Sequence, residues 1–92
     1  MIISFADKDT ETLFNDEFVK AFQSIERPAR RKLHLINAAA SIDDLRVQPG
    51  NKLETLRGDR AGQHSIRVND QWRSCFVWND GGAENVEIVD YH

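Results

Sequence analysis

The residues with the clearest potential for chemistry are Asp90, Tyr91 and His92 at the end of the printed sequence. A histidine side chain has an unperturbed pKa of about 6.5, so its imidazole can accept or donate a proton near neutral pH. An aspartate can orient such a ring, and a tyrosine can stack on a base or bind a phosphate. The alternative is that these residues are frayed and solvated, as the ends of domains often are.

A second feature is an uneven distribution of charge along the chain. The net charge of −3 argues against general binding of nucleic acid. Residues 46–73, however, carry six Lys/Arg and three Asp/Glu, whereas residues 74–92 carry four acids and no Lys or Arg. This basic segment predicts a docking surface for a phosphate backbone. The alternative, which charge alone favours, is a solvated face whose arginines pair with neighbouring acids.

Histidine and arginine together suit the cleavage of RNA without a metal ion. In that reaction the 2′-hydroxyl attacks the adjacent phosphate and the 5′-oxygen leaves. The protein removes one proton, supplies another, and stabilises the extra negative charge on the phosphate, for which arginine or lysine is suited. Because DNA lacks the 2′-hydroxyl, this mechanism selects RNA.

Motifs for other chemistries are missing from the sequence. There is no glycine-rich phosphate loop and no cysteine–histidine cluster with zinc spacing, so we predict neither a cofactor nor a metal site. His34 and His64 are far apart in sequence, and we expect His34 to lie on the surface and His64 to pack at the core or a sheet edge. The single cysteine, Cys75, lies in a strand-like run and is predicted to be a buried, inert thiol.

The first half of the chain is predicted to be helical. Asp7 or Asp9 can cap a first helix, whose apolar residues at helical spacing form a core-facing stripe that the segment at residues 15–16 interrupts. That stripe consists of Leu13, Phe14, Phe18 and Phe22. A second helix is predicted from Ala29 to Ala40, with Pro28 in its first turn. Its apolar stripe consists of Leu33, Ile36 and Ala40. Ser41 then caps a short helical turn over residues 42–45.

The second half is predicted to form strands, after a short opening strand at residues 2–5. Leu53 and Leu56 flank a short strand, and residues 64–68 and 71–78 alternate with period two around a turn at Asn69 and Asp70. A closing strand follows a turn at residues 79–82. Helices that precede an antiparallel meander predict an α+β domain with two to three helices on one sheet face. The Arg73 face is left uncovered, as a candidate binding surface.

Length and composition indicate a single domain over residues 1–92. No run of apolar residues reaches the roughly 18 needed for a membrane span, and the amino terminus lacks the pattern of a signal peptide. One cysteine cannot form an internal disulfide, which suits a reducing compartment. We therefore expect a soluble, cytoplasmic protein with no membrane partner.

The block from Gly58 to Arg73, followed by Val89-Asp90-Tyr91-His92, resembles the HigB branch of the RelE/ParE toxin superfamily. Residues 3–5, 13–14 and 52–57 resemble the same family, so that the likeness spans nearly the whole chain. It implies the microbial RelE-like fold and a ribosome-dependent endonuclease that cuts mRNA in the A site of the 70S ribosome. It also implies a HigA-type antitoxin with a helix-turn-helix domain, through which alone the system contacts operator DNA.

The resemblance also assigns roles to individual residues. It implies catalytic roles for His92 and Asp90, and it places Arg73 at the scissile phosphate. Tyr91 matches a position near the substrate, and the RNA- or ribosome-binding set comprises Lys52, Arg57, Arg60, Arg67 and Tyr91. The chain departs from the family at Glu54, where some members carry a catalytic histidine. Glu54 is either a second proton-transfer group or a partner of a neighbouring arginine.

Two further hypotheses stand beside the RNA-cleaving toxin. ParE relatives share the fold but inhibit DNA gyrase through protein contacts, without catalysis. The ending Asp90-Tyr91-His92 argues against this alternative, since a gyrase binder needs no such group. The third hypothesis is a binding module in which the basic segment only pairs with acids.

Overall fold

A computed structural model describes residues 1–91, and His92 lies outside the described residues. In residues 1–91, three α-helices precede a four-stranded antiparallel sheet whose spatial order follows the sequence. The α+β class and the single helical layer predicted from the sequence are therefore confirmed. The elements are α1 (Lys8–Phe14), α2 (Glu26–Ala38), α3 (Ile42–Arg46), β1 (Glu54–Thr55), β2 (His64–Arg67), β3 (Trp72–Asn79) and β4 (Gly82–Asp90).

Helix α1 begins at a cap that also ties it to the sheet. Asp7 is the N-cap, as predicted, and its Oδ2 accepts a hydrogen bond from the Thr10 backbone N–H at 2.9 Å. The Thr10 hydroxyl, which is fully buried, donates to Asp7 Oδ1 at 2.7 Å and accepts from the Ile88 N–H at 3.1 Å. One buried hydroxyl therefore joins the start of α1 to β4.

The first helical stripe is shorter than the sequence pattern suggests. Leu13 and Phe22 are buried, but Phe18 is 63% exposed, so its predicted place in the core is wrong. The reason is that α1 ends at Phe14 and Asp16 takes a positive φ of 65°, which breaks the helical period before Phe18. Val19, 7% exposed, packs into the core instead.

Helix α2 is the centre of the helical layer. Ala29, Leu33 and Ile36 are fully buried, and the exposed His34 lies outside their stripe as expected. The helix begins three residues earlier than predicted and ends at Ala38, so Ala40 lies beyond it and is exposed. The chain turns to an extended conformation at Ala39, which is buried in its place. A capping box at Ser41 and Asp44 then starts α3.

A buried lysine on α2 fixes the segment that leads into the sheet. Lys32, 7% exposed, donates from Nζ to Asn51 Oδ1 at 2.6 Å, and the fully buried Asn51 donates in turn to the Leu45 carbonyl at 3.1 Å. Burial lowers the pKa of Lys32, and the nearby Arg31 and Arg67 lower it further. The pair holds the 3₁₀ turn Pro49–Asn51 against the helices. Sequence analysis did not identify this contact.

Two turns set the register of the sheet. Asn69 Oδ1 accepts hydrogen bonds from the N–H groups of Gln71 and Trp72, both at 2.8 Å, and so closes the loop between β2 and β3. Asp80 and Gly81 both have positive φ, 48° and 82°, as a two-residue hairpin turn between β3 and β4 requires. Both predicted turns are confirmed, although the first includes Gln71.

The amino-terminal run pairs with the sheet without forming a regular strand. Ile2 and Phe5 make isolated parallel bridges to Ala83 and Val86 of β4, so the predicted opening strand is reduced to two contacts. Gly82 allows this close approach, because a Cβ atom there would collide with the Ile3 side chain. Within the described residues, no helix is long and apolar enough to span a membrane.

The core lies between α2 and one face of the sheet. Substitutions of two phenylalanines can test which residues belong to it. Phe76 on β3 is fully buried, whereas Phe18 is 63% exposed. We expect Phe76→Ala to lower the free energy of unfolding by about 3–5 kcal/mol through lost burial and a cavity. Phe18→Ala, the matched control, is expected to change it by less than about 0.5 kcal/mol. Denaturant titration measures both, and equal losses would contradict this assignment of the core.

Candidate active site

Strand alternation and register divide the sheet into two faces. Residues paired directly across antiparallel strands share a face, and Arg73 pairs with Arg67 while Cys75 pairs with Ser65. Ser65 also pairs with Glu54 of β1. The opposite face carries the core side chains of β3, including Phe76. The open face, as we call the side away from the helices, therefore bears Glu54, Ser65, Arg67, Arg73, Cys75, Glu87 and Val89.

Arg73 is the best-anchored side chain of the open face. Its Nε donates to Ser65 Oγ at 2.7 Å, and its Nη2 donates to the Lys52 carbonyl at 2.6 Å and to the Ser65 carbonyl at 3.3 Å. Sequence analysis predicted an arginine on an uncovered face, but only 11% of this side chain is exposed. The prediction of an exposed arginine is therefore wrong, because the side chain lies against β2 and the segment before β1.

Glu54 is brought next to Arg73. Its Oε1 lies 3.4 Å from Arg73 Nη1, and 57% of its side chain is exposed. Because Nε and Nη2 are already bound to protein acceptors, Nη1 is the edge of the guanidinium that remains for an anion. A phosphate bound there would lie beside a carboxylate able to accept a proton. Two residues predicted as catalytic are thus neighbours, and the pairing of Glu54 with an arginine is confirmed.

A second group of side chains on the open face is centred on Glu87. Arg60 Nη1 donates to Glu87 Oε1 at 3.1 Å and to Gln63 Oε1 at 3.0 Å. The hydrogen bond to Glu87 raises the pKa of Arg60. Arg60, predicted to bind RNA, is therefore already paired in the free protein.

Tyr91 covers the thiol of Cys75. Its hydroxyl lies 3.8 Å from Cys75 Sγ, and 45% of the tyrosine is exposed. Cys75 is fully buried, as predicted, and burial raises its pKa. Burial also raises the pKa of the Tyr91 phenol, so its hydroxyl stays protonated at neutral pH and available to donate a hydrogen bond.

The remaining cations of the predicted binding set differ in whether they are paired. Arg67 forms an ion pair with Asp70, which holds the pKa of that carboxyl below its ordinary value. In residues 1–91, the exposed side chains of Lys52 and Arg57 make no hydrogen bond or ion pair. The expectation that the basic segment pairs with acids thus holds for four of its six cations, and Lys52 and Arg57 remain available; the paired ones are Arg46, Arg60, Arg67 and Arg73.

Asp90 lies apart from the Arg73 group. It pairs with Trp72 in the register of β3 and β4, which places it on the opposite side of the sheet, and its Oδ2 accepts a hydrogen bond from Gln71 Nε2 at 3.0 Å. His92, the first candidate of the sequence, lies outside the described residues. His64 pairs with Phe76 on the helix-facing side, and burial lowers its pKa, so it cannot replace a histidine on the open face.

Sequence analysis missed two groups that hold the site together. Ser65 was not identified as an acceptor for Arg73. The Lys52 carbonyl was also missed. Its direction depends on a left-handed backbone at Lys52, with φ of 45°, and a lysine at that position does not predict this conformation. Among residues 1–91, no group of three or more His, Cys, Asp or Glu is arranged to hold a metal ion.

Comparisons with known proteins identify the family and agree with this fold. The model of a family described as RelE-like toxin of type II toxin–antitoxin system HigB matches residues 3–92. Toxin HigB-1 of Vibrio cholerae is 42% identical over 90 residues, which cover 96% of this chain and 95% of that protein. Endoribonuclease HigB of Proteus vulgaris is 35% identical over 94 residues, with full coverage of both chains.

Two solved structures share the fold at lower identity. The YoeB dimer from Staphylococcus aureus has a TM-score of 0.62 at 20% identity and covers 100% of this chain and 97% of its own. The heterotetrameric YoeB–YefM toxin–antitoxin complex from the same organism has a TM-score of 0.63 at 18% identity, with 100% and 98% covered. At these identities the likeness establishes the fold alone.

The buried thiol gives a direct test of the open face. We expect Cys75 to react with Ellman's reagent far more slowly than a free cysteine, because burial both shields the sulfur and raises its pKa, which lowers the thiolate fraction. The native rate should keep rising to higher pH than that of a free thiol. Protein unfolded in guanidinium is the control and should react at once. A native rate equal to the unfolded one would contradict the packing around Cys75.

Proposed function

The chain belongs to the HigB-like family of RelE-like toxins of type II toxin–antitoxin systems, and we propose that it stops translation by cutting mRNA in the ribosomal A site. It is an endoribonuclease, as its full-length relative from Proteus vulgaris is named. The observation that supports the mechanism is the placement of the Glu54 carboxylate 3.4 Å from Nη1, the one Arg73 nitrogen that donates no hydrogen bond to another group of residues 1–91.

The reaction we propose is attack by the 2′-hydroxyl on the adjacent phosphate. A bond forms between the 2′-oxygen and phosphorus, and the bond from phosphorus to the 5′-oxygen breaks. Arg73 Nη1 binds the phosphate and stabilises its added negative charge, while Glu54 accepts the 2′-hydroxyl proton. His92 gives a proton to the leaving 5′-oxygen, and Asp90, two residues before it, is proposed as its orienting group through its place in the chain and not through contact with the Arg73 group. The products are a 2′,3′-cyclic phosphate and a 5′-hydroxyl end.

Free cations and one aromatic ring suit the binding of the rest of the RNA. The exposed Lys52 and Arg57 contact the phosphate backbone, and Arg60 and Arg67 add to this surface by exchanging their acids for phosphates. Tyr91 stacks on a base next to the cleaved bond, as exposed aromatic residues do with unpaired bases. Residues 1–92 act as one toxin domain.

As a member of a toxin–antitoxin family the protein has an antitoxin partner. We propose that this antitoxin is of the HigA type with a helix-turn-helix domain, that operator DNA is bound only through it, and that the toxin acts on the 70S ribosome in the cytoplasm. The solved YoeB–YefM complex supports the general arrangement for a toxin of this fold. The gyrase alternative has no support in the names of these relatives.

The attacking group can be tested in the substrate. An mRNA carrying a single 2′-deoxynucleotide on the 5′ side of the mapped cleavage site should resist the toxin in a reconstituted translation system, because its nucleophile is missing. The same substitution one codon away is the control and should leave cleavage unchanged. New 5′ ends are expected to carry hydroxyl groups. Cleavage that continues at the deoxy position would exclude 2′-hydroxyl attack.

The role of Glu54 can be tested by an isosteric substitution. Glu54→Gln keeps the shape of the side chain but cannot take a proton, so kcat should fall by about 10²-fold or more. Glu54→His is expected to retain cleavage with a different pH profile, because imidazole can also accept a proton. Glu11→Gln, on an exposed glutamate of α1, is the matched control. Unchanged cleavage by Glu54→Gln would leave Glu54 only as a partner of Arg73.

A further inference from the structure

We propose that Ser65 is a positioning residue for the cleavage reaction, because its hydroxyl fixes the orientation in which Arg73 meets the RNA phosphate. This inference rests on the proposed function and adds to it a residue that does not itself touch the substrate. It is based on the contacts of one fully buried side chain in the middle of the sheet.

Ser65 lies where its hydroxyl can fix the Nε end of the Arg73 guanidinium. It occupies β2 between Glu54 of β1 and Cys75 of β3, and its side chain is completely buried. Its Oγ accepts a hydrogen bond from Arg73 Nε at 2.7 Å, and its carbonyl accepts one from Arg73 Nη2 at 3.3 Å. The Nε–H is the donor nearest the flexible stem, so fixing it sets the plane of the whole guanidinium.

A second contact of Arg73, with the Lys52 carbonyl, leaves only Nη1 without a hydrogen bond to protein in residues 1–91. The Lys52 carbonyl accepts from Arg73 Nη2 at 2.6 Å, and it reaches that atom because Lys52 has a left-handed backbone with φ of 45°. With Nε and Nη2 both held, Nη1 lies 3.4 Å from Oε1 of the exposed Glu54. The arginine is therefore oriented before RNA arrives, and no ordering of its side chain is required during the reaction.

The chain contains a matched comparison for this serine. Ser74, on β3, is also fully buried, but it lies on the helix-facing side and its hydroxyl has no hydrogen-bond partner within the described residues. A small buried side chain satisfies packing at Ser74. At Ser65 the hydroxyl has in addition a charged partner, and hydrogen bonds to charged groups are the stronger ones.

The geometric part of the inference can be measured without any RNA. The Arg73 Nε–Hε resonance, assigned with Arg73→Lys, should be resolved and protected from solvent exchange in the full-length wild-type toxin. Ser65→Ala should accelerate this exchange by about ten-fold or more, since the acceptor is lost. Ser65→Thr should restore the protection, because it keeps the hydroxyl. Ser74→Ala should leave the signal unchanged.

Cleavage of translated mRNA tests the functional part. In Ser65→Ala we expect kcat to fall by about 10- to 100-fold, with little change in KM, because a displaced arginine loses contacts in the transition state more than in the bound state. Ser65→Thr should recover most of this loss. In an Arg73→Ala background, Ser65→Ala should cause no further loss. Thermal unfolding of each variant shows that the effect does not arise from loss of the fold.

The outcomes separate this inference from the proposed function. An unchanged Arg73 resonance in Ser65→Ala, or an unchanged kcat, would overturn the positioning role. A loss of kcat of equal size in Ser74→Ala would also overturn it, since it would reflect packing. If wild-type toxin cuts no RNA but Ser65→Ala still releases Arg73, the proposed function fails while the positioning of Arg73 by Ser65 is supported.

Discussion

The antiparallel register of β1, β2 and β3 is the constraint on which the candidate site depends. Since side chains alternate between the two faces, burying Phe76 against the helices forces Arg73 and Cys75 onto the other side. The same pairing places Ser65 and Glu54 on that side. A slip of one residue would turn Arg73 into the core, so the hydrophobic effect that fixes the core also fixes the site.

The helical layer contributes to the site indirectly. The buried Lys32–Asn51 hydrogen bond holds the turn Pro49–Asn51, and the next residue, Lys52, offers its carbonyl to Arg73. Burying a lysine costs free energy unless its ammonium group donates hydrogen bonds, so the contact with Asn51 is needed for the stability of the fold. Helix α2 is thereby linked to the Arg73 guanidinium through Asn51 and Lys52.

The cations near the open face differ in whether an acidic side chain lies beside them, and this matters more than the net charge of the protein. Three predicted cations, Arg60, Arg67 and Arg73, each have an acid beside them, whereas Lys52 and Arg57 have exposed side chains. A protein with net charge −3 can therefore still present cations where RNA would dock. In the proposed function a phosphate displaces the acids beside Arg60 and Arg67, whereas Arg73 is held by Ser65 and the Lys52 carbonyl and keeps Glu54 beside it.

The sequence by itself determined the local elements, the faces of the strands and the family, because caps, turns and period-two alternation are short-range signals. It failed at Phe18 and Ala40, where the chain leaves the helix before the apolar pattern ends. The contacts of Arg73 with Ser65, Glu54 and the Lys52 carbonyl were decided by the tertiary structure alone. They join three separate segments, and residue types and spacing do not encode the distances between such segments.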